Sequence, residues 1–206
     1  DISHNGLLAG KTVLAGQFRE LMAPLGDHCG PYFLQLPPRY GPENLPDLAG
    51  FLVRWPSTVP LAVEVRHLGW FRRPTLAQLD ALLGRLGMAP VLLDTRPCYD
   101  APDAPMRLTT NVKPDLPVAP RVTTGFTMVR YIGHPREDLN DPYLLRWAAQ
   151  VDAWLRAGVD VYFMVHCPVE DHSPNLVRRF QELLVERGAN VPPLPWDTAP
   201  GQLPLL

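Results

Sequence analysis

The chain has 206 residues, 46% of them apolar and 19% charged, which is enough for one large domain with a buried core. A formal net charge of −2 and a pI of about 6.3 argue against broad electrostatic attraction to nucleic acid or to an anionic membrane, while leaving room for a local basic pocket. No apolar run is long enough for a transmembrane helix and no secretory signal is visible, and Cys29, Cys98 and Cys167 are too few and too scattered for a disulfide framework, so a reducing, cytoplasmic setting is expected.

The first predicted element is a helix in which Leu14, Phe18, Leu21, Met22 and Leu25 share one face. A short apolar run at 32–37, carrying Gln35, reads as a buried strand. Asn44 is placed to cap a helix bearing Leu45, Leu48, Phe51 and Leu52. The next strand is expected at 61–67. Thr75 is then the expected cap of a helix with Leu76, Leu79, Leu82, Leu83 and Leu86 on one stripe and Gly87 as its stop. A third strand at 90–95 contains Asp94. The stretch at 96–125 is rich in Pro, Asp and Thr and fits either a lid over a pocket or an irregular replacement for a crossover helix. A strand at 126–133 follows, then a helix started by Asp141-Pro142 and stopped by Gly158. The last strand is expected at 159–167. The last helix is expected to start at Ser173-Pro174 and stop at Gly188.

Strand and helix alternate, so a parallel sheet with helical crossovers is expected. One domain over 1–190 and a proline-rich tail over 191–206 account for the chain, the tail being expected to strap across the domain through Trp196 in preference to serving as a PxxP-type ligand. Much of the proline, 25 residues in all, falls in the stretch at 96–125 and in this tail.

Parity separates the chemistry-bearing side chains from the core. Along 61–67, Leu61, Val63 and Val65 oppose Ala62, Glu64 and Arg66; along 126–133, Thr127, Val129 and Tyr131 oppose Phe126, Met128 and Arg130. Along 159–167, Val161, Phe163 and Val165 oppose Tyr162, Met164 and His166. Helices cover the outer face of such a sheet, so the polar set Gln35, Glu64, Arg66, Asp94, Arg130 and His166 is expected to point inward near the carboxyl ends, where parallel α/β proteins place their sites.

Arg66 and Arg130 suit an anion, because guanidinium matches carboxylate and phosphate geometry. Glu64 is a candidate general acid or base, His166 a second proton-transfer group, and Gln35 and Asp94 orient substrate. His67, His134, His166 and His172, with Glu64, Asp94, Glu170 and Asp171, are ligand types that suit zinc or manganese. No HExxH or CxxC spacing supports a metal, no phosphate-binding glycine loop is present, and neither metal nor cofactor is expected. Cys167 beside His166 invites a thiol nucleophile, but neighbouring strand residues diverge to opposite faces.

The blocks Phe33-Leu-Gln-Leu-Pro-Pro38, Leu61-Ala-Val-Glu-Val-Arg-His67 with Trp70-Phe71, and Val129-Arg-Tyr-Ile-Gly-His134 resemble the YecE-like family, domain of unknown function 72. Asp1-Ile-Ser-His-Asn-Gly-Leu7 resembles the segment after that family's third strand. The resemblance implies a (β/α) TIM-type barrel of which this chain holds the last five of eight strands. Met164-Val-His-Cys-Pro168 departs from the family's FNN-type stretch, so His166 takes no role by match.

The family's activity is not established, and the function follows from the residues: an enzyme or binding protein for a small anionic substrate, such as a phosphorylated one, at the barrel mouth. A nucleic-acid-binding or metal-dependent nuclease-like barrel, and a non-catalytic ligand sensor or scaffold, stay open as alternatives.

Overall fold

Short β-branched and aliphatic runs flanked by Gly or Pro pair side by side once helices return the chain to the same end of the sheet. In a computed structural model, which describes residues 2–3, 6–101, 106–107 and 113–195, five such runs form one sheet. They are β1 (Tyr32–Gln35), β2 (Leu61–Glu64), β3 (Ala89–Asp94), β4 (Phe126–Ile132) and β5 (Asp160–His166), all parallel and in sequence order. The helices around the sheet include α1 (Thr12–Met22), α2 (Leu45–Leu52), α3 (Arg73–Arg85), the short α4 (Arg96–Asp100), α5 (Asp141–Arg156) and α6 (Ser173–Glu186).

Strand parity follows the expected pattern. The outer side chains of β1 and β2, including Leu34, Leu61 and Val63, pack with Leu48, Phe51, Leu52, Leu79 and Leu83 of α2 and α3. Leu92, Val129 and Tyr131 pack outward with Leu144, Trp147, Val151, Phe180 and Leu183 of α5 and α6. Ala62, Ala89, Val91 and Met128 form a separate inner layer with Phe126 and Tyr162. That inner face is open: Phe33 of β1 is 41% exposed and Met164 of β5 is 49% exposed. The sheet is therefore a half-barrel, with β1 and β5 as its two edges.

The expected stops at Gly87, Gly158 and Gly188 all adopt the left-handed conformation, with φ of 65°, 77° and 72°. Three of the expected starts shift, by one to three residues. Thr75 lies inside the first turn of α3, and its hydroxyl donates to Gly69 O (2.7 Å) and Arg72 O (2.9 Å). Asp141 is the first residue of α5 rather than its cap; its carboxylate accepts two bonds from Arg179 of α6 (2.8 and 3.0 Å). Ser173 opens α6, and its hydroxyl accepts the Cys167 N–H (2.9 Å). Asn44 precedes α2, but its side chain donates back to Gly41 O (3.3 Å) instead of capping.

The apolar stripe of α1 has a different fate from the one periodicity suggests. Ala15 is the buried residue of that helix, whereas Leu14, Phe18 and Leu21 stay exposed at 37, 45 and 75%. Phe18 packs edge-on to Tyr32, with ring centroids 5.9 Å apart. Trp196 lies outside the described residues, as does the tail beyond Pro195. The described part of the tail returns to the body: Val191 packs against the outer core, and Gln181 Nε2 donates to Pro192 O (2.7 Å).

Candidate functional site

Gln35 and Glu64 end their strands as direct register partners, and both point to the inner face. Arg66 follows Glu64 by two residues and keeps the same side. Its Nε donates to Glu64 Oε1 (2.5 Å) and its Nη2 to Gln35 Oε1 (2.8 Å). Arg130 comes from β4, on the far side of β3. The inward residues of β3 are Ala89, Val91 and Leu93, which offer no polar partner, so the long guanidinium passes over them to β2. Arg130 Nη1 donates to Glu64 Oε2 (2.7 Å) and to Gln35 Oε1 (3.2 Å), and its guanidinium sits 5.0 Å from the Phe33 ring centroid.

One fully buried carboxylate thus holds two guanidiniums whose side chains are 11 and 21% exposed. Each oxygen of Glu64 accepts from one guanidinium, so the group orients the two arginines. Arg66 Nη1 and Arg130 Nε and Nη2 make no hydrogen bond among the described residues and remain available as donors.

The loop after β3 brings a further cation. Tyr99 of α4 donates its hydroxyl to Lys113 O (2.5 Å), and Thr95 Oγ1 donates to Pro114 O (3.0 Å). Leu116 is buried with Leu93, Cys98 and Ile132 at the carboxyl end of the sheet. The half-buried Lys113 ammonium is pushed below its usual range, first by burial, then by the positive charges of Arg130 and Arg66; Glu64 acts the other way. The described part of the loop therefore lies at the carboxyl end of the sheet, near the arginine pair. It then returns along α3, where Arg121 pairs with Asp80 (2.8 Å) and Thr123 Oγ1 donates to Met88 O (2.6 Å). Sequence reading left Lys113 out because a loop has no periodicity to assign it a direction.

His166 ends β5 on the inner side, register partner of Ile132, and its Nδ1 lies 3.0 Å from Glu170 Oε1. It makes no hydrogen bond to the Glu64 cluster, but Lys113 and Arg130 act on its charge. Burial, then Lys113, lowers its pKa from the ordinary value of 6.5 against the opposing pull of Glu170, so the ring is neutral at pH 7.

Asp94 does not join this group. It pairs in register with Tyr131 and points outward, where it is fully buried. It accepts from Trp147 Nε1 (2.7 Å), from Arg96 Nε (2.9 Å) and Nη2 (2.7 Å), and from the Arg96 N–H (3.1 Å). The expectation that every polar strand residue faces inward fails here because α5 and α4 supply an indole and a guanidinium beneath an otherwise apolar helical layer.

Among the described residues no three His, Cys, Asp or Glu side chains gather as metal ligands. His67 Nδ1 accepts the Gly69 N–H (3.0 Å), and His134 Nδ1 accepts the Arg136 N–H (2.9 Å). Burial raises the Cys98 thiol to about 12 and raises Cys167 as well, so neither is a thiolate at neutral pH. No helix of the described residues is long and apolar enough to cross a membrane.

The family model described as "Protein of unknown function DUF72" matches residues 1–200. The UPF0759 protein YecE of Escherichia coli K12 is 32% identical over 205 residues, covering 96% of this chain and 75% of that protein; its O157:H7 counterpart matches equally. Two crystal structures of a DUF72 family protein from Enterococcus faecalis superpose with TM-scores of 0.67 and 0.65. Their identities are 18 and 15%, over 86% of this chain and 70 and 67% of those chains, and the likeness is one of fold.

Proposed function

The chain belongs to the DUF72 family, and from the geometry of its carboxyl-end cluster we propose that it binds a small anionic substrate there. The observation that carries this is the pair of guanidiniums gathered on one buried carboxylate, with donors to spare. Charge of one sign in excess, in a half-buried site, calls for a ligand of the other sign. Arg66 and Arg130 grip the anion, Gln35 and Glu64 hold them in place, and His166, neutral and backed by Glu170, exchanges a proton with the bound molecule. Five parallel strands in sequence order support a (β/α) barrel of eight strands, whose mouth this cluster would occupy. Three free thiols, two of them buried, support a cytoplasmic location.

The test is calorimetric titration of the protein with phosphate, comparing wild type with Arg66→Ala and Arg130→Ala. Each variant is expected to lose affinity by about tenfold or more. Unchanged affinity in both would refute the assignment.

A further inference from the structure

We propose that Lys113, carried over the mouth by the loop after β3, is a third ligand-binding cation and that the three cations together select a phosphate monoester over singly charged anions. This rests on the anion site proposed above and names its substrate class.

The placement of Lys113 comes from contacts at its own carbonyl and at the residues that follow it. Its own carbonyl is fixed by the Tyr99 hydroxyl, the next carbonyl by Thr95, and Leu116 is buried two residues later. These anchors belong to the end of β3 and to α4, so the residue is held at the carboxyl end of the sheet, above the Arg66 and Arg130 pair. Arg66, Arg130, Glu64 and His166 all lie close enough to act on its charge or to feel it. Its ammonium is half-buried and makes no hydrogen bond or ion pair among the described residues.

Charge then sets the ligand. Arg66, Arg130 and Lys113 face one buried carboxylate, Glu64, because Asp94 points to the outer face and Glu170, 70% exposed, is screened by solvent. Two positive charges remain. A carboxylate or a phosphodiester cancels one of them; a phosphate monoester carries about −1.5 to −2 at pH 7 and cancels both. Its three terminal oxygens also match donors arriving from three directions: Arg66 from β2, Arg130 from β4 and Lys113 from above. A planar carboxylate has only two oxygens to offer.

Affinities for methyl phosphate, dimethyl phosphate and acetate, measured by calorimetry on wild type, Lys113→Gln and Arg66→Ala, test the proposal. Wild type is expected to favour methyl phosphate by about tenfold or more over the two monoanions. Lys113→Gln should weaken methyl phosphate by about tenfold and acetate by a smaller factor, so that most of the preference is lost, and Arg66→Ala should weaken all three. A preference equal in wild type and Lys113→Gln would overturn the role of Lys113 while leaving the anion site standing. Equal affinity of wild type for all three probes would overturn the monoester assignment. Failure of every probe to bind would overturn both this proposal and the anion site.

A readout independent of mutation uses the fact that the chain has only two lysines, Lys11 and Lys113. Acetylation followed by mass spectrometry should show methyl phosphate protecting Lys113 and not Lys11. Equal labelling of Lys113 with and without saturating methyl phosphate would overturn the contact.

Discussion

Replacing Glu64 by Gln tests whether the carboxylate is what gathers the two arginines. The side chain is fully buried and accepts from Arg66 at 2.5 Å and from Arg130 at 2.7 Å. Hydrogen bonds to charged groups contribute about 1.5–3 kcal/mol each, and removing one partner of a buried ion pair costs about 3–5 kcal/mol. The amide keeps one acceptor oxygen, and the guanidiniums are 11 and 21% exposed, so water relieves part of their repulsion. The lower end, about 3 kcal/mol, is therefore expected. At about 2–4 °C per kcal/mol for a domain of this size, Tm should fall by about 6–12 °C.

Urea unfolding followed by circular dichroism measures the loss directly. A phosphate series run on both proteins adds a second signature: phosphate should stabilise Glu64→Gln more than wild type, because the anion supplies the missing negative charge. A loss under about 1 kcal/mol with no difference in the phosphate response would refute the view that Glu64 organises the site.

Two further outcomes follow from single side chains. Thr127 Oγ1, on the outer face of β4, is buried without a hydrogen-bond partner among the described residues, so the near-isosteric Thr127→Val should raise stability by about 1 kcal/mol; a loss in urea unfolding would show that the hydroxyl is satisfied. His166 should titrate below the ordinary 6.5 when followed by proton NMR. Lys113→Gln should raise that midpoint by removing a positive neighbour and Glu170→Gln should lower it by removing a negative one, whereas a midpoint indifferent to both would break the link between the loop and β5.

Strand number, direction and order are legible in the chain because a parallel strand buried on both faces leaves a continuous apolar run, and Gly or Pro ends it. Pleat parity also places Gln35, Glu64, Arg66, Arg130 and His166 on the inner face, since the alternation of Val63 and Val65 with Glu64 and Arg66 admits one side for the helices. It does not tell which polar residue finds a partner beneath a helix, which is why Asp94 departs from the set. Trp147 and Arg96, its partners, are far from it or outside its strand, and no local pattern joins them to it. Periodicity likewise identifies the apolar stripe of α1 but not what covers it, so Phe18 and Leu21 read as core and are exposed. Lys113 has no periodic neighbours at all; its position depends on Tyr99 and Thr95 reaching its backbone.

The outward turn of Asp94 has a consequence for how the electrostatic sign of the mouth is encoded. β3 ends between β2 and β4, so a carboxylate on its inner side would stand between Arg66 and Arg130. In register, that inner place belongs to Leu93, the partner of Arg130. Exchanging the two neighbours, Leu93→Asp with Asp94→Leu, would leave composition and net charge untouched and cut the positive excess of the basin from two charges to one. The selectivity of the mouth is thus written in the phase of a single pleat: one residue earlier or later along β3, and the same amino acids would no longer match a doubly charged anion.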